Sequence, residues 1–335
     1  MDTARVLVTG ATGFLGGALC QRLHRLGFSV TATGRDAARG AALGGGIRFV
    51  AADLADGDAA AALCAGQDYV VHCAALASPW GRYQDFHRAN VVATRNIASA
   101  SRRAGVRRMV HVSSPSIYMD HRDRVSVRED EPLPETPLSF YAATKRLAED
   151  EIDRAHGDGL PVITIRPQGI FGPGDRVIFP RLIRVARRGW FPVIGHGRNL
   201  IDITYIDNVV DALLLCLSSP PASLGRKYNI SNGDPISNYE LLDRVFTAVG
   251  VRYRRVRVPF GFAYRAAGAL EAVDRALPGE REPTLTRYAV CVLGKSRTLD
   301  LSAARTDLGY QPRVGIADGI DRFVTWWKEQ DHVAG

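Results

Sequence analysis

Short apolar runs alternate with amphipathic stretches along the first half of the chain. The run "RVLVTG" at 5–10 is rich in β-branched residues and ends in glycine, which predicts a buried strand. After it, four leucines recur at the spacing of one helix face: Leu15, Leu19, Leu23 and Leu26. Gly27 ends this pattern, so a strand followed by a helix is predicted at the start of the chain.

The alternation continues as far as residue 167. Further strands are predicted in "FSVTATG", "IRFVAADL", "DYVVHCAA", "RMVHVSS" and "PVITIRP", and helices in "DAAAALCAG" and at 83–104 and 139–156. The strands carry Val and Ile on both faces, which is typical of a parallel sheet covered by helices on both sides. The pattern predicts an α/β fold with a doubly wound parallel sheet, whose ligands bind at the carboxyl ends of the strands.

The composition fits this picture. Of 335 residues, 46% are hydrophobic and 23% are charged, as in ordinary globular proteins. The 5 cysteines are dispersed without a Cys-x-x-Cys pair, so neither a disulfide framework nor a metal site is predicted. We expect a soluble, cytoplasmic protein without integral membrane association, because no signal-peptide pattern and no apolar run of membrane-spanning length occur.

The net charge of +8 comes largely from arginine clusters at 102–108, 181–188 and 252–257. Such clusters can bind nucleic acid or membrane headgroups. Here they alternate with apolar residues, and no aromatic stacking pattern accompanies them. Solvated faces are the favoured interpretation and no nucleic-acid partner is expected, although one cluster could favour an anionic substrate.

The first carboxyl end of a strand carries "TGATGFLG", residues 9–16. Gly10, Gly13 and Gly16 would allow a tight turn, close approach of the backbone to a pyrophosphate, and close packing of helix on strand. The N–H groups at the helix start, near Phe14 and Leu15, would hold the phosphates. A plain turn is the simpler alternative, but the position between a strand and a helix favours a dinucleotide site.

The end of the second strand bears on the choice of cofactor. NAD-preferring enzymes place a carboxylate there for the ribose hydroxyls, whereas this chain has Gly34, which leaves space, and then Arg35. Arg35 could pair with a 2′-phosphate, so NADP is favoured, and NAD stays open because Asp36 follows directly. Asp53, after the third strand, is a candidate to bind the adenine amino group, to cap a helix, or to do both.

A tyrosine and a lysine lie one helical turn apart in "SFYAATKRLAED", in a chain with only four lysines. Tyr141 and Lys145 would share one helix face, and an ammonium beside a phenol lowers the phenol's pKa. Lysine can also bond to ribose hydroxyls, where arginine would present a larger planar group. In "VSSPSIY", Ser114 is placed to polarise a carbonyl beside the tyrosine, with Ser113 and Ser116 as alternative hydroxyls.

Together these motifs resemble the extended short-chain dehydrogenases/reductases along nearly the full chain. The matching stretches are "TGATGFLG", "AADL", "VVHCAA", "ANVVATRNI", "VSSPSIY", "YAATK", "IRPQGIFGPGD" and "DITYIDNVVDALLLCL". The resemblance implies that Tyr141 donates or accepts a proton, that Lys145 activates it, and that Ser114 hydrogen-bonds the carbonyl. It also implies further positions at the cofactor: Thr12, Leu54, Ala74, Asn90 and Pro167.

Two differences argue against the sugar-nucleotide enzymes of this superfamily. Gly169 stands where they usually have an asparagine that holds the sugar nucleotide, and Pro115 and Ser116 replace the acidic pair of dehydratases. "GHGRNLID" and the C-terminal "LTRYAVCVLGKSRTLDLSAARTDLGYQP" instead resemble the 3β-hydroxysteroid dehydrogenase-like branch. Within it, the resemblance is closest to bacterial 2-alkyl-3-oxoalkanoate reductases of long-chain olefin biosynthesis.

This resemblance implies NADPH-dependent reduction of the 3-keto group of a long-chain 2-alkyl-3-oxoalkanoate, a lipid-like substrate. The alternatives are a 3β-hydroxysteroid-type dehydrogenase on an apolar alcohol or ketone, a sugar-nucleotide epimerase, and a non-catalytic NADP-binding scaffold. The scaffold has no need of Ser114, Tyr141 and Lys145 together. A homodimer is expected, as family members often pair through the Tyr-x-x-x-Lys helices, and other enzymes of the pathway are candidate partners.

By resemblance, residues 1–172 and 201–232 form the dinucleotide-binding Rossmann domain, and residues 173–200 and 233–335 form a smaller, mixed α/β substrate-binding part. Apolar residues near its end suit the walls of an apolar pocket, although core packing is the favoured interpretation for most: Phe260, Phe262, Tyr264, Leu270, Val273, Leu277, Leu285 and Tyr288. A keto acid also needs a cation for its carboxylate, for which Arg181, Arg184 and Arg198 are candidates.

Overall fold

The computed structural model describes residues 3–276 and 282–333. Within them the strands are β1 (Arg5–Thr9), β2 (Ser29–Gly34), β3 (Arg48–Ala51), β4 (Tyr69–His72), β5 (Arg108–Val112), β6 (Arg124–Val127), β7 (Val162–Pro167), β8 (Ile170–Phe171), β9 (Trp190–Ile194), β10 (Leu200–Ile201), β11 (Thr204–Tyr205), β12 (Lys227–Ile230), β13 (Ile236–Ser237), β14 (Arg254–Val258) and β15 (Arg297–Leu299).

The α-helices of the same residues are α1 (Phe14–Arg25), α2 (Ala37–Ala41), α3 (Gly57–Cys64), α4 (Tyr83–Phe86), α5 (Ala93–Arg103), α6 (Phe140–Gly157), α7 (Ile178–Ala186), α8 (Ile206–Ser218), α9 (Asn238–Ala248), α10 (Phe260–Ala276), α11 (Arg287–Gly294), α12 (Ser302–Leu308) and α13 (Ile316–Val333). A π-helical segment (His87–Val92) and two 3₁₀ turns (Pro115–Tyr118 and Pro221–Ser223) complete the helical elements.

The main sheet has seven strands in the order β12-β7-β5-β4-β1-β2-β3, and every neighbouring pair is parallel. The doubly wound parallel sheet predicted from the sequence is thereby confirmed. The chain reverses its direction of winding between β1 and β4, so the crevice where ligands bind in such sheets opens at the carboxyl ends of these two strands.

Both faces of this sheet are covered because its strands are apolar on both sides. Val6 and Val8 point into one core with leucines of α1 and α8, whereas Leu7 points into the opposite core with residues of α3, α5 and α6. Successive side chains of a strand alternate between faces, so one five-residue strand serves both layers.

The smaller sheets lie mostly in the C-terminal half. One has the order β13-β10-β15-β6, and two further pairs join β14 with β9 and β11 with β8. Strand β6 comes from the first half of the chain and pairs in parallel with β15. These elements bring distant parts of the chain together beside the carboxyl edge of the main sheet.

One predicted helix differs from the structure. The segment 83–104 is not a uniform α-helix, because the π-helical segment His87–Val92 separates α4 from α5. Such wide turns often occur at functional sites, and this one contains the fully buried Asn90. Among the helices of the described residues, none is both long and apolar enough to cross a membrane.

Candidate active site

The glycine-rich turn brings backbone segments closer than side chains would allow. Gly10 has a φ of +66°, and a Cβ on it would lie 2.8 Å from the backbone of Ala74 at the end of β4. A Cβ on Gly16 would lie 2.3 Å from the carbonyl oxygen of Gly10. Gly13 is the N-cap of α1 and provides no side-chain cap, so N–H groups of the first turn, including those of Phe14 and Leu15, can donate hydrogen bonds to a pyrophosphate. These residues fit a dinucleotide.

The space over Gly34 is not open, which corrects the expectation drawn from the sequence. A Cβ at this position would lie 2.8 Å from Oγ1 of Thr12, so the threonine of the glycine-rich turn already packs there. Asp36 caps α2 by accepting a hydrogen bond from the N–H of Arg39 at 3.0 Å. Arg35 is exposed and forms no hydrogen bond or ion pair with the described residues, which leaves its guanidinium available.

Asp53 does not cap the helix after the third strand; Asp56 caps α3. One oxygen of Asp53 accepts from the N–H of Ala55 at 3.0 Å, and the other accepts from Arg88 at 2.8 Å. The hydrogen bond from Arg88 and that from Ala55 hold the pKa of Asp53 below its usual range. The nearby Leu54 is buried, and its carbonyl oxygen accepts from Asn96.

Helix α6 carries the predicted Tyr-x-x-x-Lys pair. It begins where the Ser139 hydroxyl accepts a hydrogen bond from the N–H of Ala142 at 3.2 Å. Tyr141 lines a cavity at the carboxyl edge of the sheet, and Lys145, one turn later, is 1% exposed. The helix thus places the phenol at the cavity and the ammonium beneath it.

The protonation of Tyr141 differs from the expectation that a neighbouring ammonium would lower its pKa. Burial raises the pKa of Tyr141 to about 12, and a hydrogen bond with Ser114 opposes this rise without cancelling it. Desolvation outweighs the favourable interactions because a phenolate loses more hydration than a phenol on burial. Tyr141 is therefore a protonated phenol at neutral pH, suited to donating a proton.

Lys145 shows the opposite shift. Its Nζ donates to the carbonyl oxygen of Val112 at 2.7 Å and lies 3.4 Å from Nε2 of His111. Burial lowers the pKa of Lys145 to about 8, while the negative charge of Glu149 acts to raise it. Burial also keeps His111 neutral by lowering its pKa, so this imidazole adds no charge to the site.

The structure distinguishes the three candidate serines. The hydroxyl of Ser113 donates to Glu149 at 2.5 Å and points away from the cavity. Ser114 and Ser116 both line the cavity, and the oxygen of Ser114 accepts from the N–H of Ser116 at 3.2 Å. Ser114 is the one that hydrogen-bonds Tyr141. This geometry favours Ser114 as the hydroxyl beside the phenol.

Asn90 connects the π-helical segment to the same site. Its Oδ1 accepts from the N–H of Leu76 at 2.7 Å, and its Nδ2 donates to the hydroxyl of Thr144 at 3.0 Å. Thr144 precedes Lys145 in α6, so Asn90 ties the loop after β4 to the lysine-bearing helix. Buried polar groups that are fully bonded in this way hold one arrangement of the backbone.

A buried ion pair below Lys145 was missed by the sequence analysis. Glu149 accepts from Nε of Arg166 at 2.9 Å and from its Nη2 at 2.5 Å, with side chains 4% and 3% exposed. Arg166 also donates to the hydroxyl of Tyr118 and to the carbonyl oxygen of Glu129. The sequence did contain one indication of this pair, since Glu149 follows Lys145 by one helical turn and would lie on the same helix face. The pair joins α6 to β7.

A cavity of about 340 Å³ opens above Ser114 and Tyr141. Pro167, at the end of β7, lies in its wall, and most of the remaining wall is apolar: Phe171, Leu182, Ile201, Ile203, Leu241 and Leu242. Of the wall residues predicted from the sequence, Tyr288 is part of it. Phe262 and Val273 are instead exposed on α10, and Leu277 lies outside the described residues.

The predicted carboxylate-binding arginines are less well placed than expected. Arg181 lines the cavity, but it forms an ion pair with Glu282. Arg184 and Arg198 do not line the cavity, because α7 and the loop before β10 point them elsewhere. Arg297 of β15 lines it instead, and no local motif marked this residue in the sequence.

Several known proteins resemble this chain over most of its length. Residues 6–231 match the NAD dependent epimerase/dehydratase family. The 2-alkyl-3-oxoalkanoate reductase of Stenotrophomonas maltophilia (strain K279a) is 37% identical over 95% of this chain and 98% of its own. The decarboxylating sterol-4-alpha-carboxylate 3-dehydrogenase of Mus musculus is 30% identical over 95% of this chain and 89% of its own. The solved structure of MoeE5 in complex with UDP-glucuronic acid and NAD has a TM-score of 0.76 at 28% identity, covering 98% of this chain and 100% of that one.

Proposed function

The chain belongs to the NAD dependent epimerase/dehydratase family, and on that premise we propose that it reduces the 3-keto group of a long-chain 2-alkyl-3-oxoalkanoate with NADPH. Its relatives include reductases and dehydrogenases, so the predicted NAD(P)-dependent oxidoreductase of the extended short-chain type is confirmed. The observation that carries the proposal is the meeting of Ser114, Tyr141 and Lys145 beneath an apolar cavity.

The relatives and the cavity together support a keto acid as substrate. The names of the two curated relatives specify an oxoalkanoate and a sterol 4-alpha-carboxylate, so both describe apolar molecules that carry a carboxylate. The cavity of this chain is mostly apolar and contains few charged groups. A long-chain keto acid combines the two properties, since its alkyl chains suit apolar walls.

The proposed mechanism uses the protonation states described above. A reduced dinucleotide held by the glycine-rich turn would supply the hydride from its nicotinamide. Ser114 and Tyr141 hydrogen-bond the substrate's carbonyl oxygen, and Tyr141 donates its proton as negative charge develops there. The ammonium of Lys145 stabilises the resulting phenolate, and Asn90 with Thr144 holds the helix that positions it.

The test is a steady-state assay of NADPH oxidation with a freshly prepared long-chain 2-alkyl-3-keto acid. Because such acids decarboxylate, the reverse reaction on the 2-alkyl-3-hydroxy acid with NADP⁺ runs beside it. Turnover in both directions is expected. Absence of turnover in either direction, by a protein that binds NADPH, would remove this substrate class and leave the cofactor site standing.

A sterol-type 3-hydroxy acid is the second candidate substrate. The mouse relative favours it, as its name specifies dehydrogenation at position 3 of a sterol carboxylate. The same three residues would then act mainly in the oxidative direction. Comparing kcat/KM for a sterol 4-carboxylate and for the acyclic hydroxy acid decides between the two.

Replacing Arg35 tests the preference for NADPH. In Arg35→Ser, we expect KM for NADPH to rise about 10- to 100-fold, because a charge-assisted bond to the 2′-phosphate is lost, while KM for NADH stays unchanged. The control is Arg25→Ser, an exposed arginine at the end of α1. An equal rise for both cofactors would show that Arg35 does not recognise the 2′-phosphate.

The pH dependence follows from Lys145. Its ammonium persists below its pKa of about 8 and is lost above it, whereas Tyr141, with a pKa of about 12, stays protonated throughout. We expect kcat for ketone reduction to be constant from pH 6 to 7 and to fall roughly tenfold per pH unit above pH 8 to 9. In Lys145→Met the lower residual rate should lack this decline; the same decline in that variant would assign it to another group.

A further inference from the structure

Arg297 is a partly buried cation in the wall of the cavity. It is the first residue of β15, whose parallel pairing with β6 and β10 fixes its backbone. Its Nη2 donates to the carbonyl oxygen of Val292 at 3.0 Å, and its Nη1 lies 3.8 Å from the sulfur of Met119. Both partners are neutral groups of the same cavity wall.

Among the described residues, no carboxylate forms an ion pair with Arg297. Its Nε is buried and has no hydrogen-bond partner. Burial lowers the pKa of this guanidinium, the direction expected when hydration is lost without an anionic neighbour. Buried charges in proteins are ordinarily paired. A guanidinium without an anionic partner in a cavity wall is therefore suited to binding an anionic ligand.

We propose that Arg297 binds the carboxylate of the substrate, making one end of the cavity a carboxylate subsite; this assignment rests on the proposed reduction of a keto acid. A guanidinium offers parallel N–H groups that match the two oxygens of a carboxylate. A bound carboxylate would also supply the counter-charge that this guanidinium lacks.

The other charged groups of the cavity leave this role to Arg297. Arg181 is already paired with Glu282. Asp202 is bonded to strand β15, because its Oδ2 accepts a hydrogen bond from the N–H of Leu299 at 2.7 Å. Burial raises the pKa of Asp202 to about 6. Its carboxylate forms no ion pair with Arg297, although its backbone N–H donates to the Arg297 carbonyl oxygen at 3.0 Å.

The subsite and the reacting groups line the same cavity. Tyr141, Tyr288 and Arg297 are all part of its wall, and Tyr288 interacts electrostatically with both of the others. In a 3-keto acid one carbon separates the carboxylate from the reacting carbonyl, so a substrate of this class would carry both groups into one cavity.

The experiment measures binding, so that it does not depend on turnover. A long-chain 2-alkyl-3-hydroxy acid and its primary amide, which differ only in charge at one end, are titrated calorimetrically into the protein at saturating NADP⁺. We expect the acid to bind about 10- to 100-fold more tightly than the amide, and Arg297→Gln to remove this difference. Arg297→Lys should restore part of it, since an ammonium keeps the charge without the planar fork.

Each outcome separates the subsite from the proposed reaction. Acid and amide binding equally to the wild-type protein, or a preference for the acid that survives in Arg297→Gln, overturns the subsite even if the keto acid is reduced. A preference that is lost in Arg297→Gln supports the subsite even if no reduction occurs, and in that case the proposed reaction alone fails.

A stability measurement excludes a purely structural role. Arg297→Gln removes a partly buried charge that no carboxylate of the described residues pairs, so the midpoint of its urea unfolding should stay unchanged or rise, because no ion pair is broken. A large fall in the midpoint would show that Arg297 mainly supports the fold, and would contradict the assignment.

Discussion

Replacing Tyr141 by phenylalanine should lower kcat for ketone reduction by about 10²- to 10⁴-fold. The change removes a single hydroxyl, the proposed proton donor, and leaves a ring of the same shape in the cavity wall. KM for the cofactor should change little, because the glycine-rich turn is untouched. The measurement is single-turnover oxidation of bound NADPH in the presence of the keto acid.

The matched control is Tyr310→Phe. This tyrosine is fully buried, and its hydroxyl donates to the carbonyl oxygen of Ser231 at 2.9 Å, outside the cavity. The control should keep its rate while losing some stability. If Tyr141→Phe keeps the wild-type rate as well, proton donation by Tyr141 is wrong, and Ser114 would become the candidate donor.

Six of the seven strands of the main sheet could be predicted, because the information is local. Each of the six is a short run that contains valine, and the helices between the first of them repeat leucine or alanine at helical spacing. Strand β12 was not predicted, since "KYNI" contains a single β-branched residue. Strands β8, β10, β11 and β13 contain only two residues each, too few to show a period. The sheets they form depend on pairing between distant segments, which a single sequence does not display.

The features of the candidate site fall into the same two groups, those encoded by local sequence and those that depend on distant segments. The glycine-rich turn and the Tyr141–Lys145 spacing are local patterns that the sequence displays, whereas the packing of Thr12 over Gly34 and the cavity position of Arg297 arise from tertiary structure. The pKa of Tyr141 is an example: the ammonium of the nearby Lys145 predicted a lowered pKa, but burial of the phenol raises it. Burial at that position is set by the cavity wall, which comes from remote segments.

The second large effect is expected at the Glu149–Arg166 pair, where exchanging a carboxylate for an amide should lower the free energy of unfolding. Its two side chains are 4% and 3% exposed, and Ser113, Tyr118 and the carbonyl oxygen of Glu129 form further hydrogen bonds with them. The Nζ of Lys227 lies 3.5 Å from Oε2 of Glu149. Burial alone would raise the pKa of Glu149, but the hydrogen bond and charge of Arg166 hold it below the usual range. The carboxylate is thus ionised at neutral pH and compensates the buried guanidinium.

We expect Glu149→Gln to lower the free energy of unfolding by about 3–5 kcal/mol, because it leaves the Arg166 guanidinium buried without its counter-charge. Urea unfolding at neutral pH measures the loss. The control is Glu151→Gln in the same helix, whose partners Arg95 and Arg154 have side chains 53% and 68% exposed. The Glu151 side chain is 8% exposed, but both of its arginine partners are solvated, so losing these pairs should cost no more than about 1 kcal/mol.

A double variant distinguishes the loss of one charge from the loss of the whole ion pair. Glu149→Leu with Arg166→Met removes both charges and should recover a large part of the stability lost in Glu149→Gln, because no uncompensated charge remains. Reduction should still be impaired in it, since Glu149 acts to raise the pKa of Lys145 and less ammonium would persist at neutral pH. Equal stability of Glu149→Gln and Glu151→Gln would show that the buried pair does not hold α6 against β7.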